Sequence, residues 1–159
     1  MSGYVFRPAT KNDFPSICKL IRNREELLWV YPAGKYPLTV PQLEVLAEKR
    51  IELTVAVESD RVVGFADFYD YQPGMTVFIG NVIVDRKCRG RGLGKALIAN
   101  MLEKAFDVYK LPEVRISVFS DNARALLLYA RLGFVPYAMD ERLKSDGKRV
   151  ALIHLRRAR

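Results

Sequence analysis

Hydrophobic and polar positions along this chain change period several times, and each change marks an element. Leu53-Thr54-Val55-Ala56-Val57 and Val62-Val63-Gly64-Phe65-Ala66-Asp67-Phe68-Tyr69 are dense in β-branched and aromatic residues, with the polar Glu58-Ser59-Asp60 between them. Two such runs around a short polar turn predict an antiparallel hairpin. Gln72-Pro73-Gly74 then turns the chain into a long strand over 76–84. Upstream, 4–8 reads as a short first strand. A helix beginning near Asn12 or Asp13 follows, carrying Phe14, Ile17, Cys18, Leu20 and Ile21. Residues 23–40 show little periodicity among Trp29, Tyr31, Pro32, Gly34, Tyr36 and Pro37, and read as an irregular segment. A further helix from about Pro41 uses Leu43, Val45, Leu46 and Ala47.

Past residue 90 the period becomes helical. Leu93, Leu97, Met101 and Ala105 recur every four residues with Ile98, Leu102 and Phe106 beside them. A strand over 114–118 leads to the polar cluster Ser120-Asp121-Asn122, which caps a helix over 121–132 that Gly133 stops. Strands at 134–138 and 150–155, separated by a polar stretch at 140–148, finish the chain. The order β, α, α, β, β, β, α, β, α, β, β predicts one mixed sheet flanked by helices, an α/β (α+β) fold forming a single domain over 1–159.

Composition narrows the function classes. At 159 residues and 50% hydrophobic, the chain can bury one core. The first residues hold no leader-like apolar stretch, and no apolar run approaches the roughly 18 residues of a membrane span, so a soluble cytoplasmic protein without membrane partners is expected. Cys18 and Cys88 lie far apart without metal-ligand spacing, so neither a disulfide nor a metal site is expected. The sole histidine, His154, lies in a strand-like run and reads as structural. A net charge of +8 raises nucleic acid as a partner. Yet the basic residues cluster at 86–95 and near the end, without a base-reading helix or an aromatic RNA-binding sheet signature, and a phosphorylated cofactor accounts for the first cluster. No nucleic acid partner is expected.

The chemistry concentrates where Val82-Ile83-Val84 breaks into Arg89-Gly90-Arg91-Gly92-Leu93-Gly94-Lys95. Strand, glycine turn and helix start follow one another. Glycines remove Cβ obstruction, and the helix start offers unpaired N–H groups and a positive dipole end, which suits a phosphate. Lys95 is followed by Ala96, not by a Mg²⁺-binding hydroxyl, which excludes a Walker A loop. The third glycine of a dinucleotide fingerprint would fall on Lys95, which excludes that motif. A second signal comes from Asn122, Leu126 and Tyr129, spaced i, i+4 and i+7 and so expected on one helix face.

Arg89, Gly92 and Gly94, read as R-x-x-G-x-G after a strand, and 122–134, read as N-x-x-A-x-x-x-Y-x-x-x-G-F, together resemble the two motifs of the GNAT superfamily of acetyl-CoA-dependent N-acetyltransferases. The resemblance covers 76–137 specifically and implies a GNAT-like fold. It implies that Val82, Ile83 and Val84 offer backbone groups to the pantetheine arm of acetyl-CoA, and that N–H groups from Arg89 through Gly90, Arg91, Gly92, Leu93 and Gly94 to Lys95 surround its pyrophosphate. It places Asn122 by the pantetheine or a bound water, Tyr129 as general acid near the thioester sulfur, and the Val82 N–H as oxyanion donor. Family members with a glutamate base carry it about where Phe78 stands here, so the base is unassigned.

Asp67, Tyr69 and Tyr71 are expected on one strand face with Asp70 on the other, and Asp67 is the choice for binding the amine. Glu25 and Glu26 lie in the irregular segment, and all these carboxylates read as surface groups. Trp29 and Tyr31, with Tyr36, are expected to cover a compact acceptor pocket. That favours a small-molecule primary amine over a protein N-terminus or lysine, while a CoA-binding sensor without turnover stays open as a different class. A homodimer is compatible with the sequence.

Overall fold

The computed structural model describes residues 3–144 and 146–159. Val5–Pro8 (β1) pairs antiparallel with Ile51–Glu58 (β2), which turns at Ser59 and Asp60 into Arg61–Gln72 (β3). Both turn residues have positive φ, 49° and 63°, as a type I′ hairpin requires. Thr76–Val84 (β4) continues antiparallel, and Glu113–Phe119 (β5) lies parallel to it. Val135–Leu143 (β6) and Arg149–Ala158 (β7) complete a seven-stranded sheet in the order β1-β2-β3-β4-β5-β7-β6. The mixed, mostly antiparallel architecture is the one expected.

Helices cover both faces. Phe14–Leu20 (α1), Arg24–Val30 (α2) and Val40–Glu48 (α3) bury Ile17, Leu27 and Leu43 against Val55, Phe65 and Ile83. Leu93–Glu103 (α4), which widens into a π-type turn at Lys104–Val108, and Ala123–Arg131 (α5) bury Leu97, Met101 and Tyr129 with Phe68, Val77, Ile79 and Ile116. Full burial of a leucine such as Leu97 contributes roughly 1.5–3 kcal/mol. Among the described residues no helix is long and apolar enough to cross a membrane.

Two expectations are corrected. Where an irregular segment was expected, α2 forms because the Asn23 side chain accepts the Glu26 N–H at 2.8 Å and Glu25 and Glu26 occupy the dipole-favoured first turn. With only seven residues to show a period, the cap was the readable signal. The polar stretch at 140–148 is in part strand, since β6 runs to Leu143 and pairs with Arg149. An edge strand with exposed side chains needs no apolar alternation.

Two bulges set which side chains face where. Asn81 sits at φ 49° and adds one residue to β4 between the pairs Phe65↔Ile83 and Asp67↔Gly80. Val77 and Ile79 therefore enter the α4 core, whereas Ile83 enters the α1–α3 core. Asp70, at φ 50°, adds one residue to β3. Tyr71 consequently packs edge-on to Tyr109, as does Phe68, and leaves the face that Asp67 and Tyr69 share; the expected three-residue face is broken.

Candidate active site

A cleft opens where two paired strands part. β4 and β5 hold register from Thr76↔Glu113 to Ile79↔Ile116, after which β4 stays with β3 and β5 stays with β7. The bulge at Asn81 lies at the point of divergence. From Gly80 onward the β5-facing edge of β4 has no ladder partner among the described residues, and a cavity of about 900 Å³ fills the gap. Val82, Ile83 and Val84 line it on one side, and Ser117, Val118 and Tyr129 on the other. An open strand edge can receive an extended ligand as an added strand. Asn81 donates its amide N–H to the Val30 carbonyl at 2.6 Å, while its Oδ1 is buried without a partner among the described residues. The cleft wall thus carries an unmatched acceptor, which an N–H of a ligand would satisfy.

The glycine turn closes one end. Gly90 and Gly92 take φ of 78° and 84°, and an added Cβ at either would meet nothing within 4 Å. Gly94 differs, because a Cβ there would lie 3.1 Å from Leu128 Cδ2, so this glycine lets α4 and α5 approach. The N–H groups of Arg89 and Arg91 are used inside the turn, donating to the Arg86 and Cys88 carbonyls at 3.3 Å. Ala96 N–H is the first to bond back along α4, to the Gly92 carbonyl, which leaves the N–H groups of Leu93, Gly94 and Lys95 directed outward at the helix start.

The basic side chains are largely neutralised by two glutamates. Glu26, only 8% exposed, takes Arg86 and lies 3.9 Å from Arg89, while Glu58 takes Arg91 at 2.7 Å. Arg91 is thereby turned away from the cleft, whereas Arg89 and Lys95 line it. Glu26 is not the surface carboxylate expected: α2 lays it over the turn, and its anchoring of Arg86 and Arg89 was missed. Its cap signal, Asn23-Arg24-Glu25-Glu26, could have shown it. Cys88 is buried beside Glu58, and burial pushes its thiol pKa up, so it remains an unreactive packing residue.

α5 supplies the other wall. Asn122 is its N-cap, with Oδ1 accepting the Ala125 N–H at 3.4 Å, and it also lines the cleft. Because Asn122 itself is not helical (φ −91°, ψ 70°), helical counting starts one residue later. After it Ala123, Arg124, Ala125, Leu128, Tyr129, Arg131 and Leu132 line the cleft, whereas Leu126 does not and packs against the core instead of sharing the face of Tyr129 as expected. Tyr129 is 5% exposed, edge-on to Phe134, and its phenol pKa is pushed up by burial and then by neighbouring Tyr69. It stays neutral, hence a proton holder, over the physiological range.

The expected acceptor residues separate. Trp29 lines the cleft and donates its indole N–H to Asp121 Oδ1 at 3.0 Å, while Lys144 binds Asp121 Oδ2 at 2.6 Å. This link joins α2, which rests on β4, to the start of α5 across the gap. Tyr31 is not brought there, because it ends α2 and packs with the α1–α3 core. Tyr36 also stands apart, its hydroxyl donating to the Arg22 carbonyl at 2.9 Å. Asp67 is fully buried, not a surface group, and lies beneath the cleft, 3.3 Å from Arg50, whose guanidinium stacks 4.3 Å over Tyr69. Burial pushes its carboxyl up to about 8 against the pull of Arg50. Its Oδ2 is buried without a partner among the described residues. Ser117, unremarked in the sequence, lines the cleft floor instead. Among the described residues no cluster of three or more His, Cys, Asp and Glu side chains could hold a metal.

Comparison with known proteins points to acetyltransferases. A profile described as the acetyltransferase (GNAT) family matches residues 18–134. The L-amino acid N-acetyltransferase AaaT of Escherichia coli (strain K12) is 30% identical over 155 residues, covering 96% of this chain and 91% of that one. The spermine/spermidine N(1)-acetyltransferase of Bacillus subtilis (strain 168) is 27% identical over 70 residues, 44% of this chain, and the match spans less than half, 46%, of that relative. Among solved structures, the ribosomal-protein-alanine N-acetyltransferase from Brucella melitensis shares the fold at TM-score 0.80 and 19% identity, over 98% of this chain and 99% of its own. So does yncA from Salmonella typhimurium, solved with its cofactor acetyl-CoA, at TM-score 0.76 and 20% identity over 99% and 94%.

Proposed function

The chain belongs to the acetyltransferase (GNAT) family, and we propose that it transfers an acetyl group from acetyl-CoA to the primary amine of a small molecule, directly, with both bound in the cleft. The observation that carries this reading is a single cavity with the α4 start and glycine turn at one end and Tyr129 in its wall. Bound acetyl-CoA supplies an activated thioester carbonyl. The free N–H groups of Leu93, Gly94 and Lys95 hold the pyrophosphate, with Gly90, Gly92 and the Arg89 and Lys95 side chains around it. The open edge at Val82, Ile83 and Val84 orients the pantetheine arm, and Asn81 Oδ1 and Asn122 are polar partners beside it. The Val82 N–H stabilises the oxyanion, and Tyr129 holds its proton at the phenol oxygen for the departing thiolate.

The Trp29–Asp121–Lys144 link across the gap supports a compact acceptor over an extended peptide. The substrates for which the relatives are named, amino acids and spermine or spermidine, fit a small amine as well. Val135, Met139 and Leu143, exposed along β6, support pairing of two copies at that edge. The test is an amine panel with acetyl-CoA, detecting released thiol and including N-terminal and lysyl peptides. Small amines turn over under this reading; turnover of peptides alone transfers it to protein acceptors, and acetyl-CoA binding without turnover makes the chain a sensor.

A further inference from the structure

Attack on a thioester needs a neutral amine, yet the carboxylates lining the cavity, Glu26 and Asp121, are held by Arg86 and Lys144, and Asp67 is fully buried. A different set of groups reaches the cleft from the far side of the sheet. The β5–β7 register places Ser117 directly opposite His154, with Ser117 Oγ 2.7 Å from His154 Nδ1. His154 Nε2 lies 2.7 Å from Asp140 Oδ2 on β6. Ser117 lines the cavity, the His154 side chain is 17% exposed, and the Asp140 side chain is 55% exposed, so the file runs from cleft to solvent. Tyr129 lines the same cavity as Ser117. Ser117 therefore opens into the region where Tyr129 acts.

We infer that Ser117 and His154 are the route by which the acceptor ammonium loses its proton, with Asp140 holding the ring; this rests on the acetyl-transfer reading of the cleft. Facing the Asp140 carboxylate, the neutral imidazole carries its hydrogen on Nε2 and leaves Nδ1 to accept from the Ser117 hydroxyl. As an N–H bond of the ammonium breaks, its proton passes to Ser117 Oγ while the Ser117 proton passes to His154 Nδ1. The amine becomes neutral and His154 becomes an imidazolium paired with Asp140. That cation releases one proton to water at the exposed Asp140 end, and the neutral ring regains its Nε2–H form by exchange with water between turnovers. The groups facing His154 are Ser117 from β5 and Asp140 and the Tyr137 ring from β6. Arg142 lies 3.5 Å from Asp140, and Arg115 and Arg156 lie over Tyr137. The route works while His154 Nδ1 is free to accept.

His154 is the only histidine in the chain, so its imidazole nitrogens give an unambiguous ¹⁵N spectrum in the full-length protein. The neutral ring is expected as the Nε2–H tautomer, and an Nδ1–H ring would overturn the route whatever the activity. In kinetics, Ser117→Ala and His154→Gln should lower kcat/KM by roughly 10²-fold near neutral pH. Their remaining rate should climb with pH in step with the free-base fraction of the amine, with acetyl-CoA affinity unchanged in calorimetry. Ser117→Thr, which keeps the hydroxyl, should recover most of the rate. Asp140→Asn should cause a smaller loss and lower the Nε2–H share of the neutral ring in the ¹⁵N spectrum, as suits a positioning residue. A wild-type pH profile in Ser117→Ala removes the route and leaves the transfer reading intact. No thiol release by the unaltered protein with any amine removes both.

Discussion

Replacing Gly92 separates backbone conformation from contact. Gly92 takes φ 84° immediately before α4, its carbonyl accepts the Ala96 N–H at 3.0 Å, and an added Cβ meets nothing within 4 Å. Steric contact therefore adds nothing, and the cost of Gly92→Ala is the left-handed backbone alone, about 1–2 kcal/mol. Gly92→Val, β-branched, costs more. The chain can meet that cost in two ways. It can hold the turn, and the urea midpoint falls. Alternatively it can let φ relax, which re-aims the N–H groups of Leu93, Gly94 and Lys95 and weakens acetyl-CoA binding by roughly 5- to 30-fold, since 1.4 kcal/mol is tenfold. Urea denaturation and calorimetric titration with acetyl-CoA measure the two losses, which for Gly92→Ala should together account for the 1–2 kcal/mol. Gly94→Ala is the control. Its helical backbone gains about 0.5–1 kcal/mol from alanine, offset by the 3.1 Å approach to the flexible tip of Leu128, so it should be close to neutral in both assays. Wild-type stability together with wild-type affinity in Gly92→Val would refute the assignment of this turn as the anion cradle.

Tyr129→Phe keeps the ring against Phe134 and removes only the hydroxyl; steady-state kinetics should show kcat lowered by about 10²-fold with acetyl-CoA affinity little changed, and an unaltered kcat removes its acid role. Asp13 is held down to about 2, chiefly by the Arg7 hydrogen bonds and against burial. Its folded value is lower than its unfolded one, so its stabilisation is present above about pH 4 and is lost as pH falls toward 2. After discounting for the partly exposed Arg7, urea midpoints of the unaltered protein and Asp13→Asn should differ by about 1–2 kcal/mol at pH 7 and converge near pH 2. Trp29→Ala breaks the link to Asp121 across the cleft, so the amine panel should show a raised acceptor KM and better use of bulky amines, and an unchanged ranking would separate Trp29 from acceptor selection.

The motif-bearing half of the site was legible because its requirements are local. Gly90 and Gly92 announce positive φ, and the fourfold spacing of Leu93, Leu97 and Met101 announces the helix that supplies the N–H groups. Asn122 and Tyr129 belong to one short helix, although the non-helical cap moved Leu126 off their face. The acceptor half was not legible, because its residues meet only through register. Glu26 looked like one more surface carboxylate until α2 laid it over Arg86 and Arg89. Asp67 looked available until strand pairing sealed it against Arg50.

By itself, then, the sequence determined the order of the strands and of every helix but α2, the glycine turn and the tyrosine-bearing helix, each governed by φ preferences and side-chain periods within a dozen residues. Tertiary structure decided where β4 and β5 part, because the one-residue bulge at Asn81 reverses the faces of everything beyond it. It also decided that Ser117, His154 and Asp140, from three strands, stand in one hydrogen-bonded file. With a two-residue period, a shift of one position in the β5–β7 register would have turned Ser117 and His154 to opposite faces of the sheet, and no local pattern records that choice.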